Sequence, residues 1–394
     1  MSDKKIVEII QNNDIGVLAK NIGKIKVNAH FKLSVNEFSN ISDERTDNFK
    51  NDQITLLHVA AFFDSLECFC YLLPKFKYGL RTQSVKAYYP LHYACFNGSR
   101  EIAVYILKKE PQMAAETPPN IDHHFIYYTI FGGDPIILTE LFENGAELDD
   151  KRNMKDDPIG KAIDLCQIPC LEVLLKYEKR MLNQEHFTPA MLAAKNCHPE
   201  ALKILVRSSD ELAYFSPTNQ SVISLIFYYS NGGMFKDVLI DLLKKYPNIR
   251  IEPPDEIVAP GVCHWLCKVC NKELAELMVE TREVNINRVD DQFHTGPFNL
   301  SLRRDLKDDD IIAILKIIIG HGFDINYRPN NRSEILIEYF INAMLKRKKV
   351  IEFILSQGVN LDVPSFKFKN MTIFEQVMSS NDKDLKRIFE TYHR

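Results

Sequence analysis

One stretch limits what this chain can become: Tyr89-Pro90-Leu91-His92-Tyr93-Ala94-Cys95-Phe96-Asn97-Gly98-Ser99-Arg100-Glu101-Ile102-Ala103-Val104-Tyr105-Ile106-Leu107. Pro90 starts a helix at a position where the missing N–H costs nothing, Asn97-Gly98 stops it, and Glu101 opens a second apolar-periodic helix ending near Leu107. Two short helices back to back form a hairpin that cannot bury its apolar faces alone, so the unit has to recur. It does. Thr55-Leu56-Leu57-His58-Val59-Ala60-Ala61, a turn at Asp64 and Glu67-Cys68-Phe69-Cys70-Tyr71-Leu72-Leu73 repeat both helices, with His58 and His92 about 34 residues apart.

The closest matches, Thr55-Leu-Leu-His-Val-Ala and Tyr89-Pro-Leu-His-Tyr-Ala, resemble the T-P-L-H-x-A first helix of the ankyrin repeat, a unit of about 33 residues. Thr188-Pro189-Ala190-Met191-Leu192-Ala193-Ala194 is a third copy, with Met in place of His. Worn copies are recognised by phase. Leu141 to Asp149, His321-Gly322-Phe323-Asp324-Ile325-Asn326 and Gln357-Gly358-Val359-Asn360-Leu361-Asp362 reproduce the family's ending, each with a glycine suited to a left-handed helix C-cap. Further units begin near Ile126, Asp157, Ser221, Gly261, Gly296 and Glu334.

The resemblance implies an all-α ankyrin-repeat solenoid of stacked helix-turn-helix units with finger loops, spanning 1–394 as a single array of about ten hairpins after an N-terminal one. Residues 1–23 form a capping hairpin, 24–53 a long polar finger, 54–370 the repeats and 371–394 a charged C-terminal cap. Pro247, Pro253, Pro254 and Pro260 stiffen a longer finger around 246–260.

Bulk properties agree with an interaction protein. A net charge of −4, from 49 basic and 53 acidic residues, provides no global field for nucleic acid or anionic lipid. The longest apolar run, Ile311 to Ile319, contains Lys316 and is too short to span a bilayer, and the N-terminus lacks a continuous apolar signal region. Nine cysteines are too sparse and odd in number for a disulfide scaffold, and Cys68, Cys95, Cys166 and Cys197 sit in apolar-periodic segments as small hydrophobes. The expectation is a cytoplasmic monomer with protein partners and no cofactor, metal or membrane span.

Chemistry is sought first in Cys263-His264-Trp265-Leu266-Cys267-Lys268-Val269-Cys270. Structural zinc clamps two separated knuckles, whereas Cys263, His264, Cys267 and Cys270 share one predicted helix, so an enzyme or metal site here is the alternative rather than the leading reading. In the family that His58, His92 and His264 resemble, the histidine bonds the finger backbone. No nucleophile or carboxylate recurs beside them. P-loop, dinucleotide, zincin and kinase signatures are absent, and Gly132-Gly133 and Gly232-Gly233 are isolated. Lys346-Arg347-Lys348-Lys349 reads as a solvated turn between helices rather than a nucleic-acid contact, and Asp308-Asp309-Asp310 as a helix start complementing the dipole.

A solenoid binds on its concave face, at first-helix positions after the paired small residues and at finger tips. Those positions are Phe62 and Phe63, Phe96 and Asn97, Phe131 and Gly132, Asp164 and Leu165, Lys195 and Asn196, Tyr228 and Tyr229, Lys268 and Val269, Arg303 and Arg304. Tyr88 lies on a finger beside the first of them. The partner-binding expectation is an aromatic stripe of Phe62, Phe63, Tyr88, Phe96 and Phe131, with Asn97, Tyr228 and Tyr229, since aromatics in a groove anchor protein contacts; the alternative is that these phenylalanines fill gaps left by degenerate neighbours or pack on the 24–53 segment folded across them.

Overall fold

The computed structural model describes residues 2–25, 30–33, 49, 51–75, 79–116, 124–148, 157–177, 186–230, 233–254, 259–280, 284–330, 333–368 and 370–393. Most of the expected 24–53 finger, Asp122, His123 and Gly232 therefore lie outside the described residues. The chain divides into two compact units, Met1–Glu185 and His186–Arg394.

In the first unit the helices are α1 (Asp3–Gln11), α2 (Ile15–Asn21), α3 (Leu56–Phe62), α4 (Leu66–Lys75), α5 (Pro90–Asn97), α6 (Arg100–Lys109), α7 (Phe125–Gly132), α8 (Pro135–Glu143), α9 (Pro158–Asp164) and α10 (Ile168–Tyr177). The second holds α11 (Pro189–Lys195), α12 (Pro199–Leu205), α13 (Ser209–Ala213), α14 (Val222–Tyr229), α15 (Lys236–Lys245), α16 (Val262–Val269), α17 (Lys272–Val279), α18 (Phe298–Leu302), α19 (Asp308–Gly320), α20 (Leu336–Asn342), α21 (Lys348–Ser356), α22 (Ile373–Ser379) and α23 (Lys383–Tyr392). Apart from the short extra helix α13, these are the expected hairpins. No strand forms among the described residues, only isolated bridges such as Val289 to Thr295 and Pro364 to Thr372.

Within each unit like packs on like. First helices touch first helices (α3 on α5, α5 on α7, α16 on α18, α18 on α20), and second helices touch second helices (α6 on α8, α8 on α10, α17 on α19, α19 on α21). Sequence explains the division of labour. Every residue of α3, and all of α5 and α7 but the last, is buried, because a helix apolar all round needs neighbours on all sides. Second helices such as α21 bury one stripe only, Val350, Ile351, Ile354 and Leu355.

The turn between the two helices of a hairpin needs a left-handed residue. Gly98 (φ 69°) and Gly133 (φ 68°) supply it without strain, while Asp64, Cys166, Cys197 and Cys270 occupy the corresponding turn elsewhere. This corrects the expectation for two cysteines: Cys166 is exposed and Cys197 only half-buried, since both are turn residues rather than core hydrophobes.

Fingers are tied down by the fourth residue of the helix-start motif. His58 Nδ1 accepts from Thr55 N (3.3 Å), so Nε2 carries the proton and donates to the Tyr88 carbonyl of the next finger at 3.0 Å. His264 does the same between Gly261 N (3.2 Å) and the His294 carbonyl (3.0 Å). His92 Nδ1 accepts from Tyr89 N at 2.9 Å, but its buried Nε2 finds no partner among the described residues. The position thirty residues on, by analogy with His58 and Tyr88, is Asp122, which lies outside them.

Where the histidine is lost, other chemistry takes over. Glu338, fully buried, accepts from Ile335 N (3.0 Å), from Phe366 N of the following finger (2.6 Å) and from the Arg328 guanidinium (2.8 Å). The finger bond is thus reversed in polarity, with a backbone N–H donating to a side chain. At Gly261, which replaces the usual Thr, the missing cap oxygen comes from Glu252, whose Oε2 accepts from Val262 N at 3.0 Å. Buried Arg288 pairs with Glu252 at 3.3 Å and donates to the carbonyls of Ala259, Pro253 and Pro254, holding the proline-rich finger. A Cβ on Gly261 would lie 2.2 Å from Glu252 Oε1 and 2.6 Å from Arg288 Cδ, so glycine is what lets this clasp close.

Candidate binding groove

The two units treat their first-helix aromatics oppositely. In the first, Phe62, Tyr88, Phe96 and Phe131 are buried. Phe49, from the segment expected to be a polar finger, packs on two of them, with its ring centroid 4.5 Å from Tyr88 and 5.1 Å from Phe96, and lies 4.2 Å from Tyr93 and 5.2 Å from Tyr128. Asp52 holds that strand of chain: Oδ1 accepts from Gln53 N and Lys86 N, and Oδ2 from the Tyr93 hydroxyl at 2.9 Å. The aromatic stripe anticipated as exposed is covered by the chain itself. Phe63 is half-buried against Phe62, and Asn97 is exposed but spends its amide on the Phe62 carbonyl at 2.7 Å.

In the second unit, Tyr228 and Tyr229 are 75% and 46% exposed, at the end of α14. Tyr228 lines a groove of about 360 Å³. Its floor is the inner end of two first helices, contributing Ser224, Leu225, Phe227, Trp265 and Lys268, and its walls are fingers contributing Asn219, Gln220, Pro253, Pro260 and Asp290. Phe227 and Trp265 stack with centroids 5.6 Å apart and planes 3° off parallel, which fixes the spacing of α14 and α16.

Three cations bond carbonyls at first-helix C-termini: Lys268 within α16, Arg303 at the end of α18 and Arg347 at the start of α21. Lys268 Nζ donates to Phe227 O (2.7 Å), Arg303 to Lys268 O, and Arg347 to Arg303 O (2.7 Å). Helix C-termini present unpaired carbonyls and partial negative charge, and cations satisfy both. Arg303 is also bidentate with Asp305 (2.7 and 2.6 Å), and Arg347 pairs with Asp308 at 2.5 Å. Lys268, half-buried in the groove, has no carboxylate partner among the described residues, and burial pulls its ammonium pKa down.

The cysteine and histidine cluster beside the groove is organised as core. Cys263 and Cys267 are buried, Cys270 is the left-handed turn, and both ring nitrogens of His264 are engaged by backbone. Burial pushes the Cys267 thiol well above its ordinary range and Cys270 up to about 11, and pulls His264 down, so each is held in its neutral form near pH 7. Among the described residues no three His, Cys, Asp or Glu side chains converge as a metal site would require, and no helix is long and apolar enough to cross a membrane.

The basic run is not a free patch. Lys346 faces Asp382 (3.9 Å), Arg347 is buried on Asp308, Lys348 pairs with Asp384, and Lys349 with Asp309 (2.5 Å). The expected solvated turn is a seam between neighbouring second helices. Sequence reasoning placed Lys268 on the inner row but passed over Trp265, Pro253 and Pro260; a lone tryptophan next to a helix-start histidine, one finger away from four prolines, was the available signal.

Three comparisons bear on these observations. The family model described as Ankyrin repeats (3 copies) matches residues 25–117. No curated protein matches. Among solved structures, the human ASB11 ankyrin repeat domain is similar at 15% identity and a TM-score of 0.38, over 69% of this chain and 99% of that one. Residues 25–117 carry recognised ankyrin repeats, and helical hairpins follow one another beyond them.

Proposed function

We propose that this protein is a non-catalytic interaction module, an adaptor or scaffold, that holds a segment of a partner protein in the groove between α14, α16 and their fingers. Ankyrin repeats are protein-interaction modules, and the observation that carries the reading is the groove itself: 75% exposed Tyr228 beside Trp265 and Lys268, rimmed by Pro253 and Pro260. Tyr228 and Tyr229 supply the anchoring rings. In the first unit Phe62, Tyr88, Phe96 and Phe131 stiffen the frame beneath half-buried Phe63 and exposed Asn97, which remain secondary contacts. The protein works as a monomer in a reducing, cytoplasmic setting, in keeping with cysteines that are sparse and odd in number.

Affinity purification with quantitative mass spectrometry tests this. Proteins retained by the wild type are expected to be lost with Tyr228→Ser, while the helical circular-dichroism spectrum is unchanged. Equal retention by the variant sinks the reading.

A further inference from the structure

We infer that the segment held in the groove is acidic: a partner peptide that places an Asp or Glu carboxylate on Lys268 and an adjacent aromatic or large aliphatic side chain against Tyr228, Leu225 and the two prolines. This rests on the groove reading above and adds the chemistry of the occupant. Lys268, Arg303 and Arg347 each donate to a carbonyl at a first-helix C-terminus, and they differ in one respect. Arg303 and Arg347 each have a carboxylate, Asp305 and Asp308, and neither lines the groove. Lys268 lines it and has none among the described residues.

One carbonyl satisfies one of the three N–H donors of the ammonium, and among the described residues nothing compensates the charge or the other two donors in this partly desolvated site. The nearest acid in the wall does not complement it. Asp290 Oδ1 already accepts from Gln292 N (2.9 Å) and His294 N (2.8 Å), and its Oδ2 lies 3.7 Å from His294 Nδ1. The remaining polar wall, Thr218, Asn219, Gln220, Ser224 and Asn299, is neutral. A protein segment fits better than a nucleic acid, because Trp265 is only 4% exposed and cannot serve as a stacking platform, and among the described residues no second cation lines the cavity to track a phosphate backbone.

The test is selection of a random-peptide display library on the full-length protein, run in parallel on Lys268→Gln, Lys268→Glu and Tyr228→Ser. Lys268→Gln keeps a donor for the Phe227 carbonyl and so guards against simple misfolding, which a thermal melt monitors. Peptides enriched on the wild type are expected to carry an acid beside an apolar residue. A synthesised winner should bind with a change in the fluorescence of Trp265, the single tryptophan. Its affinity should fall by about tenfold or more on Lys268→Gln, and equally when its acid is replaced by the amide. Neutral or basic winners that bind both Lys268 variants normally, yet are lost on Tyr228→Ser, overturn the acidic assignment and leave the groove reading standing. No enrichment at all, or winners indifferent to Tyr228→Ser, overturns both. Displacement of a winner by oligo-dT but not by excess acidic peptide overturns the choice of a protein ligand.

Discussion

Glu252 Oε2 accepts a hydrogen bond from Val262 N at 3.0 Å, reaching across ten residues to cap a helix whose own N-cap, Gly261, has no side chain. Backbone and cap have exchanged roles: glycine gives up its oxygen and makes room for a carboxylate and a guanidinium.

Gly261→Ala should therefore destabilise the second unit by about 1–3 kcal/mol, since the new Cβ collides with Glu252 and Arg288 and neither, being buried, has space to yield. Gly320→Ala in α19 meets nothing within 4 Å and should be neutral or stabilising by about 0.5–1 kcal/mol. Urea unfolding of both variants reads the contrast.

Restoring the family's histidine at Glu338 should fail. The site presents two backbone N–H donors, from Ile335 and Phe366, and a guanidinium, so it needs acceptors on both sides. A neutral imidazole has one acceptor and one donor. Glu338→His should cost about as much as Glu338→Ala, roughly 3–5 kcal/mol, because each leaves Arg328 without its buried partner. A denaturation midpoint close to wild type for the histidine variant would contradict this.

Burial lowers the His58 pKa to about 4 from 6.5, and lowers His92 and His264 as well. The unfolded chain then binds more protons than the folded one in between, so the stability from a neutral His58 is complete above about 6.5 and is lost as pH falls toward about 4. His58→Gln, which keeps one acceptor and one donor, should flatten part of that slope. Thermal melts across this range check it.

Within Lys346-Arg347-Lys348-Lys349 one residue carries the stability. Arg347→Ala removes a 95% buried guanidinium from Asp308 and from the Arg303 carbonyl, and should cost about 2–4 kcal/mol. Lys349→Ala breaks only an exposed pair with Asp309 and should leave the urea midpoint unmoved.

Phe49→Ala should destabilise the first unit by about 3–5 kcal/mol through the cavity left among Tyr88, Tyr93, Phe96 and Tyr128, with Phe49→Leu costing less. Limited proteolysis followed by mass spectrometry should find new cuts between α3 and α7 in the alanine variant only.

Repeat phase was legible in the sequence because it rests on local signals: Pro at helix starts, turn residues between the helices, and the closing glycines Gly145, Gly322 and Gly358, all at positive φ. What escaped it is long-range. That the 24–53 segment folds across the phenylalanines is one of the readings the sequence leaves open, but nothing near Phe49 announces that its ring is the one to cover Phe96. Glu338 and Glu252 read as degeneracy because a repeat pattern records the residue type that does a job, whereas the fold conserves the hydrogen bond. The groove was half legible: Tyr228 and Lys268 fall on the inner row by counting, but that Lys268 has no carboxylate among the described residues stands out only once Arg303 and Arg347 are seen to have theirs.

The seam of Lys346 to Lys349 has a mechanical consequence. Arg347 and Lys349 fasten α21 to the start of α19, while Lys346 and Lys348 fasten it to the start of α23, so alternate residues of one short run grip opposite neighbours. A pull on the C-terminus would load the α21–α23 seam first, and only after it opened would tension reach the α19 side, because each repeat touches only the next. Under force this end of the molecule would come apart tooth by tooth, with the buried Arg347 as the last and strongest tooth to part.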